Sequence, residues 1–231
     1  MKSNIFYIQT EQKKISQLVT AEFKKYYLTG GTALAFYFNH RFSEDLDFFS
    51  QNYNPLDPDK IMGYIKIQTG YDFHLEAEQN KPGMIPMKVY YLTLKKSCLL
   101  KIDFVQDYSK NMGKIKNGLH SVTDIYYRKI ITTIGAITKQ DNTGRVIYVG
   151  RQTVKDLFDL YYLSTQREPL SEFFLEHFSY DKVGSILAWY NNFNRTQLKI
   201  ELLDLVPRVD TAKIIKHLDN ELLKKLPDKL I

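Results

Sequence analysis

Residues 28–50 read LTGGTALAFYFNHRFSEDLDFFS, and the rest of the chain is best read outward from them. A strand-like run, Tyr26-Tyr27-Leu28, meets the double glycine Gly30-Gly31. Thr32 then opens an apolar segment with the character of a helix. After the basic turn Asn39-His40-Arg41 come Asp45 and Asp47, in a second strand-like run over 46–49. Side chains alternate along a strand, so the two acids point the same way. Adjacent carboxylates repel unless a cation neutralises them. A glycine turn at a helix start offers backbone N–H groups to phosphate, with no Cβ in the way and the positive helix end behind it. Alone, a double glycine is more often an ordinary strand-to-helix turn. Likewise, a D-x-D pair is commonly a solvated strand edge. Here the acids alternate with Leu46, Phe48 and Phe49, and buried carboxylates must be paired or metal-bound. Hard oxygen donors suit Mg²⁺ or Mn²⁺.

A third acid, Asp103, interrupts the apolar strand-like run 99–105. Carboxylates on two neighbouring strands have the donors for divalent ions that activate a hydroxyl and stabilise leaving pyrophosphate. The competing interpretation pairs Asp103 with Lys101, two residues back on the same face.

The 231 residues are 44% hydrophobic and 14% aromatic, enough for a core and too rich for a disordered chain. Cys98 is the single cysteine, which excludes an internal disulfide. The N-terminus carries no apolar h-region. No run reaches the ~18 apolar residues of a membrane helix, so a cytoplasmic protein with no membrane partner is expected. A net charge of +6 permits contact with nucleic acid or nucleotides without requiring it. P-loop, G-x-S-x-G and zinc-ligand spacings are absent from the sequence.

The pattern predicts an α/β first part, residues 1–115, and a helical second part, 116–231. Strands are expected at 73–78, 87–94 and 97–105, the last two forming an antiparallel hairpin turning at Lys95-Lys96. Residues 52–59, with Pro55 and Pro58, are expected to be a loop, and 60–67 a helix. Helices are predicted at 124–137, 154–164 with Thr153 as N-cap, 170–178, 182–191, 196–205 and 211–226, and a turn or short hairpin at 140–150. Lys129, Lys155, Asp156 and Asp159 fall in this half. Spacing puts Asp156 and Asp159 on one helix face and lets Lys155 pair with Asp159, an arrangement that by itself describes a solvated, salt-bridged face.

The order of these elements resembles the polymerase-β-like nucleotidyltransferase superfamily: glycine pair opening a helix, D-x-D on the next strand, a further Asp on a later strand. More closely, LTGGTALAFYFNHRFSEDLDFF is similar to the signature of the AbiEii/AbiGii toxin family of bacterial nucleotidyltransferases. Lys101-Ile102-Asp103, Lys129 in DIYYRKI, and Arg151, Lys155, Asp156, Asp159 and Leu160 in an R-x-x-x-[RK]-D-x-x-D-L run extend the likeness over about residues 22 to 165. It departs at Gly31, where many nucleotidyltransferases carry Ser, and in the thirteen residues between Gly31 and Asp45.

The resemblance implies a nucleotidyltransferase-type mixed sheet flanked by helices, followed by a helical lobe. It assigns phosphate binding to Gly30, Gly31 and Thr32, and metal binding to Asp45 and Asp47. Asp103 becomes a third metal ligand or the base for the acceptor hydroxyl. Lys129, Lys155, Asp156 and Asp159 become nucleotide contacts. It further implies Mg²⁺ or Mn²⁺ as cofactor, an NTP such as ATP as substrate and an antitoxin protein as partner; the acceptor is left open among an RNA end, which a tRNA would suit, a protein side chain and a small molecule, with RNA favoured. The alternatives are a nucleotide- or partner-binding module without turnover, and a protein whose acids are structural.

Overall fold

The computed structural model describes residues 2–95, 98–135, 137–140, 146–206 and 209–228. The chain divides into two compact units, Met1–Ile125 and Tyr126–Ile231.

The first unit begins with α1 (Lys2–Glu22), followed by β1 (Tyr27–Thr29), α2 (Gly30–Phe38), β2 (Leu46–Ser50), α3 (Asp57–Thr69), β3 (Asp72–Gln79), β4 (Met87–Thr93) and β5 (Leu99–Gln106). The five strands form one mixed sheet in the order β1-β2-β5-β4-β3. β2 and β5 are parallel, and every other pairing is antiparallel. β4 and β5 pair as predicted, and Lys96 of the expected turn lies outside the described residues.

Alternation along β2 sorts the faces. Leu46, Phe48 and Ser50 are buried, while Asp47 and Phe49 are half-buried on the other side. The inner face packs aromatics: Phe48 stacks on Phe104 at 5.5 Å between ring centroids, and Tyr26 and Tyr90 meet Phe104 edge-on. Ile15 and Val19 of α1 and Ile61, Met62 and Ile65 of α3 complete this core. Stacked and edge-to-face rings of this kind add stability beyond area burial.

The larger departures from expectation in this unit have physical reasons. α1 was not anticipated: its apolar residues are sparse among polar ones, and it owes its helix to Ile15 and Val19 packing in the core. The loop predicted to Asp59 ends at Leu56, because Pro58 sits in the first turn of α3, where a missing N–H costs nothing. α2 opens at Gly30 rather than Thr32, and Asn39 closes it in a left-handed conformation (φ 49°).

Helix α4 (Val122–Ile134) straddles the division at residue 125. It stops three residues before the predicted end, at Gly135, whose φ of 77° breaks the helix. The second unit continues with the antiparallel pair β6 (Ile137–Gln140) and β7 (Val146–Val149), the hairpin expected there, whose connection 141–145 lies outside the described residues. Helices α5 (Val154–Gln166), α6 (Leu170–His177), α7 (Val183–Asn191), α8 (Arg195–Leu205) and α9 (Thr211–Leu218) follow. After α9 the chain winds more widely over Asp219–Lys225 and ends in α10 (Leu226–Asp228). Leu157, Leu160, Leu163, Phe173, Phe174, Ile186, Tyr190, Leu202 and Ile214 form the core of this helical unit. The mixed α/β sheet with flanking helices and the helical C-terminal region are both as the sequence predicts. No helix among the described residues is long and apolar enough to cross a membrane.

Candidate active site

Strand pairing brings the acids of the first unit together. Parallel register sets Asp47 of β2 beside Asp103 of β5, and antiparallel register sets Asp47 opposite Thr29 at the end of β1. The residue after Thr29 is Gly30, so the glycine turn and the carboxylates share one end of the sheet. Asp45 lies just before β2 and is half-buried, like Asp47. The Thr32 hydroxyl, itself buried, donates to the Asp45 carbonyl and ties the acid-bearing loop to α2.

Each glycine of the turn has its own reason. Gly30 has φ +70°, and a Cβ there would stand 2.7 Å from Asp47 Oδ2. A Cβ on Gly31 would stand 2.7 Å from Arg41 Nη2 and 3.0 Å from Ser43 Oγ. Glycine therefore lets a carboxylate and a guanidinium close on the turn from two sides. Arg41, from the basic turn, is buried, at 6% exposed. Its Nη1 donates to the Phe42 carbonyl at 2.9 Å. Thr29, the N-cap of α2, makes no side-chain cap; its hydroxyl is 3.0 Å from His120 Nδ1. The first-turn N–H groups of α2 are thus not capped by that side chain.

Asp103 is 8% exposed. Lys101 Nζ donates to its Oδ2 at 2.6 Å, the pairing that strand spacing had offered as the structural alternative. Its Oδ1 is buried without a hydrogen-bond partner. Burial pushes the Asp103 carboxyl above the usual aspartate range; Lys101 opposes the rise and the charge of Asp45 adds to it. For Lys101, burial works against the charge, but Asp103, with Asp45 and Asp47 beyond it, holds its pKa above the ordinary lysine value. The all-oxygen donor set is chemically right for Mg²⁺ or Mn²⁺, and the orphaned Oδ1 asks for a cation or a proton. Yet among the described residues no three His, Cys, Asp or Glu side chains stand close enough to hold an ion. Asp103 is engaged by Lys101, which leaves Asp45 and Asp47 as the remaining carboxylate donors at this end of the sheet.

Sequence reasoning missed the support behind the turn. His120 is fully buried, with Nε2 3.1 Å from Asn111 Oδ1. Asp124 takes the Met112 and Gly113 N–H groups at 2.7 and 2.9 Å and the Ser121 hydroxyl at 2.5 Å. Burial opposes the Asp124 charge, but these bonds hold its carboxyl below the usual range. The Ser121-to-Asp124 spacing is a legible capping signature; no sequence signal marks His120.

The second unit holds its own cluster. Asp156 and Asp159 are fully buried on α5 rather than solvated. Lys129 Nζ of α4 lies 2.8 Å from Asp156 Oδ1 and 2.7 Å from Asp159 Oδ2. Arg151 grips Asp156 with two bonds, Nε to Oδ2 at 2.7 Å and Nη2 to Oδ1 at 2.8 Å. Thr153, the predicted N-cap, accepts from the Asp156 N–H and donates to Asp156 Oδ2. Burial opposes the charge of Asp156, but Lys129 and Arg151 bring its pKa down to about 2. Lys155 is half-buried on the same helix.

A glycine turn opening a helix, an acid just before the next strand and one within it, and a third acid on the parallel neighbour form the arrangement that the resemblance to nucleotidyltransferases leads one to expect. The model of a family described as "Nucleotidyl transferase AbiEii toxin, Type IV TA system" matches residues 17–69, which hold the glycine turn, Asp45 and Asp47. The likeness to that nucleotidyltransferase family holds over this segment. No curated protein matches the chain. Among solved structures, JHP933 from Helicobacter pylori is similar at 18% identity and a TM-score of 0.58, over 96% of this chain and 94% of that one. MenT4, a nucleotidyltransferase toxin from Mycobacterium tuberculosis H37Rv, is similar at 14% identity and a TM-score of 0.55, over 97% and 84%. At these identities the structural matches establish the shared fold.

Proposed function

We propose that the protein transfers NMP from an NTP to an acceptor hydroxyl with Mg²⁺ or Mn²⁺, and that it is the toxin of a bacterial toxin–antitoxin or abortive-infection system. The observation that carries the chemistry is the β2–β5 register, which sets Asp47 beside Asp103 at the mouth of the glycine turn. In this reading the backbone N–H groups of Gly30 and Gly31 take the phosphates, and Thr32 fixes the loop bearing Asp45. Asp45 and Asp47 hold the divalent ion, which would supply charge neutralisation at the reacting phosphate. Asp103 Oδ1 accepts the acceptor's proton as its oxygen attacks the α-phosphorus. The bond to the β-phosphate breaks, and pyrophosphate leaves in line. The resemblance gives Lys129, Lys155, Asp156 and Asp159 nucleotide-binding roles, which the buried Asp156 and Asp159 would serve by orienting Lys129, and Asp156 by orienting Arg151 as well.

RNA, tRNA above all, is the favoured acceptor, because the family is one of toxins and the +6 charge suits a polyanion. An antitoxin protein is the expected partner, and the cytoplasm, where NTP and RNA meet, the expected compartment. The test incubates protein with Mn²⁺, each α-labelled NTP in turn, and total RNA. Label on RNA with the wild type and none with Asp45→Ala supports the reading and names the NTP. Label on protein or a small molecule instead removes RNA as acceptor. The failure of three acids to converge favours the second reading, a nucleotide-binding module without turnover. NTP binding with no product under any of these conditions would establish it.

A further inference from the structure

Lys101 is the cation already present at the carboxylate site. We propose that its ammonium occupies the place of a second metal ion, so that this site takes a single divalent ion, on Asp45 and Asp47. The inference rests on the nucleotidyltransferase reading above and specifies its metal requirement.

Three observations carry it. First, a two-ion site needs a carboxylate that presents both oxygens to metals a few ångströms apart. Asp103 Oδ2 is instead taken by Lys101 Nζ at 2.6 Å. Second, the strands make this pairing a built feature. Lys101 and Asp103 are two residues apart on β5, so they share a face, and Asp103 lies beside Asp47 in register. Asp45 precedes Leu46, the partner of Ile102, which places it alongside Lys101. The ammonium thus pairs with Asp103 on the strand beside the one that Asp45 precedes and Asp47 lies in, and its side chain is 30% exposed. Third, three carboxylates and one ammonium leave two negative charges, which one divalent ion neutralises. The lack of any three converging acids among the described residues agrees with a site whose third acid is engaged elsewhere. Oδ1 of Asp103, buried and unpaired, remains for the acceptor's proton.

The test counts ions rather than turnover. Mn²⁺ binding to the full chain is measured by equilibrium titration with electron paramagnetic resonance of free Mn²⁺, for wild type, Lys101→Met and Lys101→Arg. The expected result is one Mn²⁺ per chain for wild type and Lys101→Arg, and a second Mn²⁺ for Lys101→Met, whose Asp103 is released. Two ions on the wild type, or one unchanged ion on a folded Lys101→Met, would overturn the proposal and leave the metal-dependent reading standing. No Mn²⁺ on the wild type would remove the metal reading itself and this proposal with it. Should Lys101→Met fail to fold, the wild-type and Lys101→Arg counts still decide the question.

Discussion

Gly30 and Gly31 look interchangeable in sequence, yet their substitution by alanine should have different consequences. At Gly30 a side chain meets both a left-handed backbone and the Asp47 carboxylate. Gly30→Ala should cost about 1–2 kcal/mol of stability, measured by urea unfolding, and should abolish transfer by displacing Asp47. At Gly31 the obstacle is the tip of Arg41, the far end of a flexible chain. Gly31→Ala should therefore unfold within about 0.5 kcal/mol of wild type. The acids Asp45, Asp47 and Asp103 were legible because each interrupts an apolar run. Arg41 was not, because nothing in NHRF announces that its guanidinium folds back over Gly31. Lys101 was legible as a structural partner of Asp103, and its place beside the Asp45–Asp47 strand became visible only once β2 and β5 were paired.

Among the elements, α5 begins where the sequence places it, with the predicted cap. Thr153 caps it, and the acids on its face are buried against Lys129 and Arg151. Removing the cap by Thr153→Ala should lower stability by about 1 kcal/mol, checked by the unfolding midpoint at constant m-value. Asp156→Asn should cost more, about 3–5 kcal/mol, since it strands Lys129 and Arg151 beside a neutral group. The same carboxyl sets a pH dependence. Its folded-state pKa is lowered to about 2, so its contribution is complete above the unfolded value near about 4 and is lost as pH falls toward about 2. Thermal melts from pH 5 to pH 2 should show a fall that is smaller in Asp156→Asn, where the other lowered carboxyls such as Asp124 still contribute. Spacing alone had described this face as solvated. Helical periodicity shows which residues share a face but not what covers it, and the cover here comes from Lys129, twenty-seven residues away. The same limit explains the missed α1, whose helix depends on Ile15 and Val19 reaching the core.

At the scale of the molecule, an α/β sheet unit followed by a helical unit was legible because strand-like runs stop and helical periodicity begins. The sheet order was not. Nothing local says that β2 pairs with β5, fifty-three residues further on, although this parallel contact is what sets Asp47 beside Asp103. The family-model match over residues 17–69 falls on the segment that holds the turn, Asp45 and Asp47, where local sequence was most informative. The central claim is that the Gly30 turn and the acids of β2 and β5 form one phosphoryl-transfer site. It is tested most directly by pyrophosphate release from the four NTPs with Mn²⁺ and total RNA, comparing wild type with Asp47→Asn and Asp103→Asn. Metal-dependent release by the wild type, and at least a hundredfold less by each variant despite wild-type folding, is the predicted result. Release that persists in both variants would contradict the claim and place the chemistry away from the β2–β5 pair.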